Sequence, residues 1–215
     1  MSLFDLAEER AGGLEQMPLA ARMRPRSLEE FLGQEEIVGP ETFVGRAIRL
    51  DRVPSMIWYG PPGSGKTTLA YIIRAGTKRH FARMSAVETG VADILHAAEA
   101  ARLRQQEKGQ GTILFVEEIH RLNKGQQDRF LPFVEDGTFV LIGSTTENPF
   151  FHLIPPLLSR CRVVVFNPLR DEQIRTIVER ALADEERGYG KEEIALEPEA
   201  MEHLVVNSAG DARHA

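Results

Sequence analysis

The residues Gly60-Pro61-Pro62-Gly63-Ser64-Gly65-Lys66-Thr67 satisfy the phosphate-cradling pattern G-x-x-x-x-G-K-[ST] at every required position. The chemistry of that spacing is the binding of a nucleoside polyphosphate such as ATP or ADP. The glycines let the backbone turn its N–H groups inward, and Lys66 brings a cation to the β and γ oxygens. Thr67 and Thr68 then open a helix whose N-terminus favours anions, and the Thr67 hydroxyl is a ligand for Mg²⁺. A second set is the apolar run Ile113-Leu114-Phe115-Val116 ending in Glu117-Glu118. Adjacent acids at a buried strand end need a cation or a task nearby. Beside a phosphate loop, Glu117 is assigned to the metal and Glu118 to polarising an attacking water; alone, the pair also reads as two solvated acids. A third set, Gly143-Ser144-Thr145-Thr146-Glu147-Asn148-Pro149, offers small polar groups to a γ-phosphate or water, though such residues also make ordinary turns. In a fourth, Leu157-Leu158-Ser159-Arg160-Cys161-Arg162, Arg160 by itself reads as a surface charge and Cys161 as a small buried apolar residue.

These groups need a scaffold that brings distant strand ends together. Short apolar runs alternate with helical patterns along the chain, the mark of a parallel sheet with crossover helices, so an α/β core is expected. The candidate strands are Ser55–Tyr59, His80–Val87, Thr112–Glu118, Phe139–Thr146 and Cys161–Phe166. Val91, Ile94, Leu95 and Ala98 recur at helical spacing. Asn123 is placed to cap the next helix, where Pro132 is expected to cause a kink or stop. From Ile174 to Leu182 an apolar stripe predicts a helix, Arg187-Gly188-Tyr189-Gly190 breaks it, and Pro198 begins another. Gly210-Asp211-Ala212-Arg213 reads as the opening of a third. The resulting division is a tail over 1–20, the core over 21–167, and a partial helical lid over 168–215.

The 215 residues are enough for a substantial core, and the net charge of −6 gives no whole-surface argument for nucleic acid. Contact with DNA would have to use a local basic face, for which Arg121 and Lys124 are candidates, though solvated surface charge is the plainer reading. The single cysteine excludes an internal disulfide framework, and no CxxC spacing suggests zinc. A cytoplasmic protein is expected, because no run approaches a membrane span and Met1–Glu15 lacks signal-peptide organisation.

Together, Gly60–Thr67, Glu117-Glu118, Ser144-Thr145-Thr146, Ser159-Arg160-Cys161 and Gly210-Asp211-Ala212-Arg213 resemble, in order, the Walker A, Walker B, sensor 1, arginine-finger and sensor 2 motifs of AAA+ ATPases. More narrowly, Pro18–Pro25, Gly33-Gln34, Glu118–Asp128, Glu135–Thr138 and Thr145–Pro149 are similar to the replication-associated recombination protein A family. That family is related to the Werner-helicase-interacting ATPase and to clamp-loader subunits. The resemblance implies an AAA+ P-loop core with a five-stranded parallel sheet between helices, followed by a helical lid. It implies a DNA-dependent ATPase acting at stalled forks and DNA ends, working as a homo-oligomer near the nucleoid and interacting with single-strand-binding protein. It also implies that Arg24, Pro25, Gly33 and Gln34 line an adenine pocket, that Thr146 is sensor 1, and that Arg213 touches nucleotide from the lid. Arg160 would enter a neighbouring subunit's site, where such a finger is worth about 10³–10⁵ in rate. Ser85 matches a polar switch that restrains the catalytic glutamate.

Two departures from the family pattern carry weight. The usual Asp-Glu of Walker B is Glu117-Glu118 here. One methylene shifts a carboxylate by about 1 to 1.5 Å, and displacements of that size can cost about 10²-fold in rate, so slowed hydrolysis is expected. Relatives also continue through the lid into a C-terminal oligomerisation domain, so this chain reads as the N-terminal ATPase portion of a longer protein. A branch-migration motor would carry a β-hairpin insertion where this chain passes directly through Gly137-Thr138, and a small-molecule kinase would lack the finger and sensor motifs. A clamp-loader-type subunit and a nucleotide-binding scaffold with weak hydrolysis remain the alternatives.

Overall fold

A computed structural model describes residues 17–192 and 194–215. Two short helices, α1 (Leu19–Arg22) and α2 (Glu35–Val38), precede α3 (Phe43–Arg49) and β1 (Met56–Tyr59). Then follow α4 (Lys66–Gly76), β2 (His80–Ser85), α5 (Val91–Lys108), β3 (Thr112–Glu117), α6 (Lys124–Glu135) and β4 (Val140–Thr145). The chain continues through α7 (Pro149–His152), α8 (Pro155–Leu158), β5 (Arg162–Val165), α9 (Asp171–Ala183) and α10 (Pro198–Ser208). The strands form one sheet of five in the order β2-β3-β4-β1-β5, every pair parallel. The first strand therefore lies between β4 and β5, and the crevice beyond its carboxyl end is where open α/β sheets bind ligands.

Side-chain alternation divides the core between the two faces of the sheet. Met56 and Trp58 of β1, with Ile113 and Phe115 of β3, pack with Leu69, Ile72 and Ile73 of α4. Ile57, Leu114 and Val116 point the other way, toward Ile94, Ala98 and Ala101 of α5 and Phe130 of α6. Cys161 belongs to this second cluster, and burial pushes its thiol up to about 12, as befits an inert apolar residue. A third cluster, from Leu169 through Ile174 and Val178 of α9 to Met201 and Val205 of α10, joins the two helices that follow the sheet.

Several local features differ from the sequence-based expectations. Pro132 does not stop α6, which runs on to Glu135. Pro132 and Asp128 are both exposed, so the carbonyl left without its helical donor faces water. The buried stripe of α5 is Ile94, Ala98 and Ala101, whereas Val91 and Leu95 are exposed. The segment from Asp211 to His214 closes as a hydrogen-bonded turn rather than a helix. Asn123 does cap α6, accepting from Gln126 N while the Gln126 side chain accepts from Asn123 N, each at 2.9 Å. Of the proposed tail, residues 1–16 lie outside the described residues, while Leu19 and Ala20 already belong to α1.

Candidate nucleotide-binding site

Beyond the carboxyl end of β1 lies a cleft of about 1190 Å³ whose floor is Pro62–Thr68. Gly63 and Gly65 hold positive φ of 67° and 97°, which side chains rarely adopt. Space forbids side chains there as well. A Cβ on Gly63 would lie 1.9 Å from Asp211 Oδ1, and one on Gly65 would lie 2.7 Å from Phe31 Cζ. The loop thus has to be glycine at both places, and the turn bearing Asp211 rests directly on it.

Lys66 begins α4, and its Nζ donates to Gly60 O and Pro61 O, each at 2.7 Å. Burial lowers its pKa to about 8 from 10.5; Arg213 lowers it further, and Glu118 and Asp211 oppose. A buried cation at a helix N-terminus suits a polyphosphate. The next residue, Thr67, donates its hydroxyl to Glu117 Oε1 at 3.2 Å. Hydroxyl and carboxylate together make a hard-oxygen pair. Among the described residues no group of three or more His, Cys, Asp or Glu could hold a metal. The pair fits Mg²⁺, which takes one or two protein ligands and fills its octahedron with phosphate oxygens and water.

The adjacent acids diverge because their backbones differ. Glu117 is the last residue of β3, whereas Glu118 takes left-handed φ and ψ of 53° and 41° at the head of a 3₁₀ turn, Ile119–Arg121. Glu117 Oε2 accepts from Nε of Arg83 on β2 at 2.8 Å, and from its Nη2 as well. Glu118 turns into the cleft beside Thr146 and Ser85, and its Oε2 lies 3.5 Å from His120 Nε2. Sequence reading missed Arg83 and His120. The Glu-x-His spacing across a tight turn was a signal for the second, while nothing local marks the first.

The remaining expected site residues divide between the cleft and elsewhere. Arg24 and Pro25 stand on its wall, the Arg24 guanidinium 4.5 Å from the Tyr71 ring centre. Gly33 and Gln34 do not line it. Gln34 stands behind the phosphate loop, its amide donating to Ser64 O and Asn167 O while its oxygen accepts from Asn167 N. It braces the loop against the end of the core, and a Cβ on Gly33 would strike Leu169. Pro18 and Ala20, counted with the tail, instead form part of the wall. Arg213 lines the cleft and pairs with Asp211, which raises its pKa. Arg160 stands away from the cleft, bonded to Glu135, to Pro156 O at 2.7 Å and to Ser159 Oγ at 3.1 Å.

A phosphate loop after the first strand of a parallel sheet, faced by the acids of a second strand and flanked by a helical layer, defines a P-loop nucleotide-binding protein. The model of the ATPase family associated with various cellular activities (AAA) matches residues 56–169. The chain is 51% identical over 198 residues to a replication-associated recombination protein A of Coxiella burnetii, covering 92% of this chain and 44% of that protein. Its counterpart in Escherichia coli is 46% identical over the same shares. An ATPase of Dictyostelium discoideum, WRNIP1, is 42% identical over 91% of this chain and 22% of its own length. Among solved structures, the Thermotoga maritima RuvB Holliday junction branch migration motor superposes with a TM-score of 0.68 at 29% identity, covering 90% of this chain and 62% of that one. The chain belongs to the AAA family of ATPases, on the branch of the replication-associated recombination protein A proteins. It spans less than half the length of the curated relatives it matches.

Proposed function

We propose that this chain carries the ATP-hydrolysing portion of a DNA-dependent ATPase that maintains replication forks and serves recombination and repair, with hydrolysis at subunit interfaces of an oligomer. The observation that carries the reading is the Thr67–Glu117 hydroxyl–carboxylate pair at the mouth of a phosphate loop, with Glu118 turned separately into the same cleft. In this reading the loop N–H groups and Lys66 hold the phosphates. Glu118 accepts a proton from the attacking water, Thr146 orients water or γ-phosphate, and Arg213 contacts the nucleotide from the 168–215 lid. Mg²⁺, held by Thr67 and Glu117, would neutralise charge on the phosphate oxygens. Arg160 is exposed and does not line the cleft, which suits delivery to a neighbouring copy. The 21–167 core binds and cleaves; DNA and single-strand-binding protein are the proposed partners, and the cytoplasm around the nucleoid the location.

A second reading, a scaffold that binds nucleotide with weak turnover, has one observation in its favour: Arg83 pairs with the carboxylate assigned to the metal. Measuring ATP turnover of the longer protein with and without forked or single-stranded DNA separates the two. DNA-stimulated turnover is expected. Tight ATP binding with no turnover under either condition would leave the scaffold.

A further inference from the structure

His120 lies just past the acids of β3, its side chain only 8% exposed, and the nucleotide chemistry proposed above gives it no task. Its Nδ1 is 2.9 Å from Oγ1 of Thr145, the fully buried last residue of β4, and its Nε2 faces Glu118 Oε2 at 3.5 Å. The hydroxyl of Thr145 accepts from Glu147 N at 2.9 Å and has one hydrogen for two neighbours, His120 Nδ1 and Glu147 O at 3.1 Å. Giving that hydrogen to Glu147 O would leave Nδ1 as the donor and turn the bare Nε2 lone pair of a neutral ring toward a carboxylate. Giving it to Nδ1 turns Nε2–H toward Glu118 and leaves only Glu147 O, on an exposed residue, to solvent. Burial lowers the His120 pKa first; Arg121 and His152 act the same way, against Glu118 and Glu147, so the neutral ring is the form to be placed. The chain of donors runs in one direction: Glu147 N–H to Thr145, Thr145 O–H to His120, His120 Nε2–H toward Glu118.

We propose that His120 is a positioning residue that ties the Glu118 carboxylate to the end of β4 through Thr145, setting where the water-polarising group stands in the cleft. The inference deepens the reading of Glu118 given above and rests on it. Thr145 directly precedes Thr146 on the cleft wall, so any shift of β4's end that accompanies γ-phosphate contact reaches Glu118 through the ring. The left-handed backbone at Glu118 takes the chain out of β3, and the ring, 3.5 Å from its carboxylate, is the restraint proposed for it.

Two substitutions divide the ring's halves in the longer protein. The amide of His120→Gln reaches the place of Nε2, whereas that of His120→Asn reaches only the place of Nδ1. His120→Asn is expected to lower kcat about 10- to 100-fold, the size of effect that follows misplacement of a reacting group, with calorimetric ATP affinity held within about twofold. His120→Gln, which keeps a donor toward Glu118 but loses the link to Thr145, is expected to recover part of that loss, to about the rate of Thr145→Val. Thr145→Val, which keeps shape and removes the hydroxyl, should lower kcat with affinity held, and adding His120→Asn should cost no more than the worse single change. Full kcat in both His120→Asn and Thr145→Val overturns the proposal. So do equal losses in His120→Asn and His120→Gln, or additive losses in the double variant, either of which means the ring only fills space. Where a His120 variant fails to fold, Thr145→Val alone decides: lowered kcat with ATP affinity held supports the tie, and full kcat overturns it. Glu118→Gln keeps the failures distinct: full turnover there overturns the reading of Glu118 itself, whereas no turnover there with full turnover in His120→Asn overturns this inference alone.

Discussion

Lys66 combines two costs, a charge taken out of water and a side chain bent back onto the carbonyls of Gly60 and Pro61. Its folded pKa of about 8 lies below the unfolded value of 10.5, so between those values the unfolded chain holds the proton more firmly. Its burial therefore weighs on stability in full below pH 8, and the burden lifts as pH rises from 8 toward 10.5. Nucleotide binding runs the other way. Phosphates need the cation, so ATP affinity, followed by calorimetry or by Trp58 beside the loop, should be level below pH 8 and fall by up to about tenfold per pH unit above it. In Lys66→Ala the affinity should collapse and that pH dependence vanish, with far-UV circular dichroism unchanged. The paired acids give a second prediction for the longer protein. Glu118→Gln should bind ATP at least as tightly and stop turnover, while Glu117→Asp, which shortens the arm now shared between Thr67 and Arg83, should keep turnover or raise it. Stopped-flow phosphate release checks both, and turnover lost in Glu117→Asp would show that the longer acid is required.

At the scale of elements, the site depends on one close approach. The 3₁₀ turn after β3 packs flat on β4 because residue 143 is glycine: a Cβ there would come within 2.6 Å of Ile119 Cδ1 and 3.0 Å of Ile57 Cδ1. This approach sets His120 against Thr145, with Glu118 beside the ring. Gly143→Ala should destabilise the chain by about 1–3 kcal/mol, as overpacking of a filled core does. It should also lower turnover more than ATP affinity, because the phosphate loop lies on β1 and α4 while the turn lies on β3. Thermal melting with calorimetric titration reads both; a stable variant with full turnover would show that the turn has room to shift. The end of α6 needs no such precision. Pro132 is tolerated there because its missing bond faces solvent.

At the scale of the whole molecule, the cleft is built from segments far apart in the chain, and salt bridges join them across it. Arg187, just beyond α9, pairs with Glu30 ahead of α2 and with Asp184, and Arg180 donates to Glu30 O at 2.8 Å. These bonds tie the Glu30 segment of the cleft wall to the α9 segment, whereas Arg160 is exposed and does not line the cleft. An arginine there, engaged with the exposed Glu135, can change partners at little cost, since surface pairs are worth about 0–1 kcal/mol. In the longer protein, Arg160→Ala should retain ATP affinity and lose turnover, and mixing it with Glu118→Gln should restore partial activity as intact halves meet at shared interfaces. Mixtures shown to co-assemble without recovery, or an Arg160→Ala protein at full rate, would remove Arg160 from the mechanism.

What sequence alone determined is what short-range chemistry dictates. Eight contiguous residues specify the phosphate loop because glycine conformation, a lysine and a threonine must follow in fixed order. Short apolar runs between helical patterns specified five parallel strands, because strands buried on both faces, as β1 and β3 are, run apolar throughout; their order in the sheet came from the tertiary structure. Tertiary structure decided whatever joins residues with no periodic relation. Gln34 looked like pocket lining and proved to be a brace for the loop, through bonds to Asn167 across 133 positions. Arg83 reaches Glu117 across 34 positions and His120 reaches Thr145 across 25, each through a strand register that no local pattern encodes. The same reason separates Glu117 from Glu118. Adjacent in sequence and alike in chemistry, they part because β3 ends between them and the turn that follows packs against Gly143, a contact that no local pattern encodes.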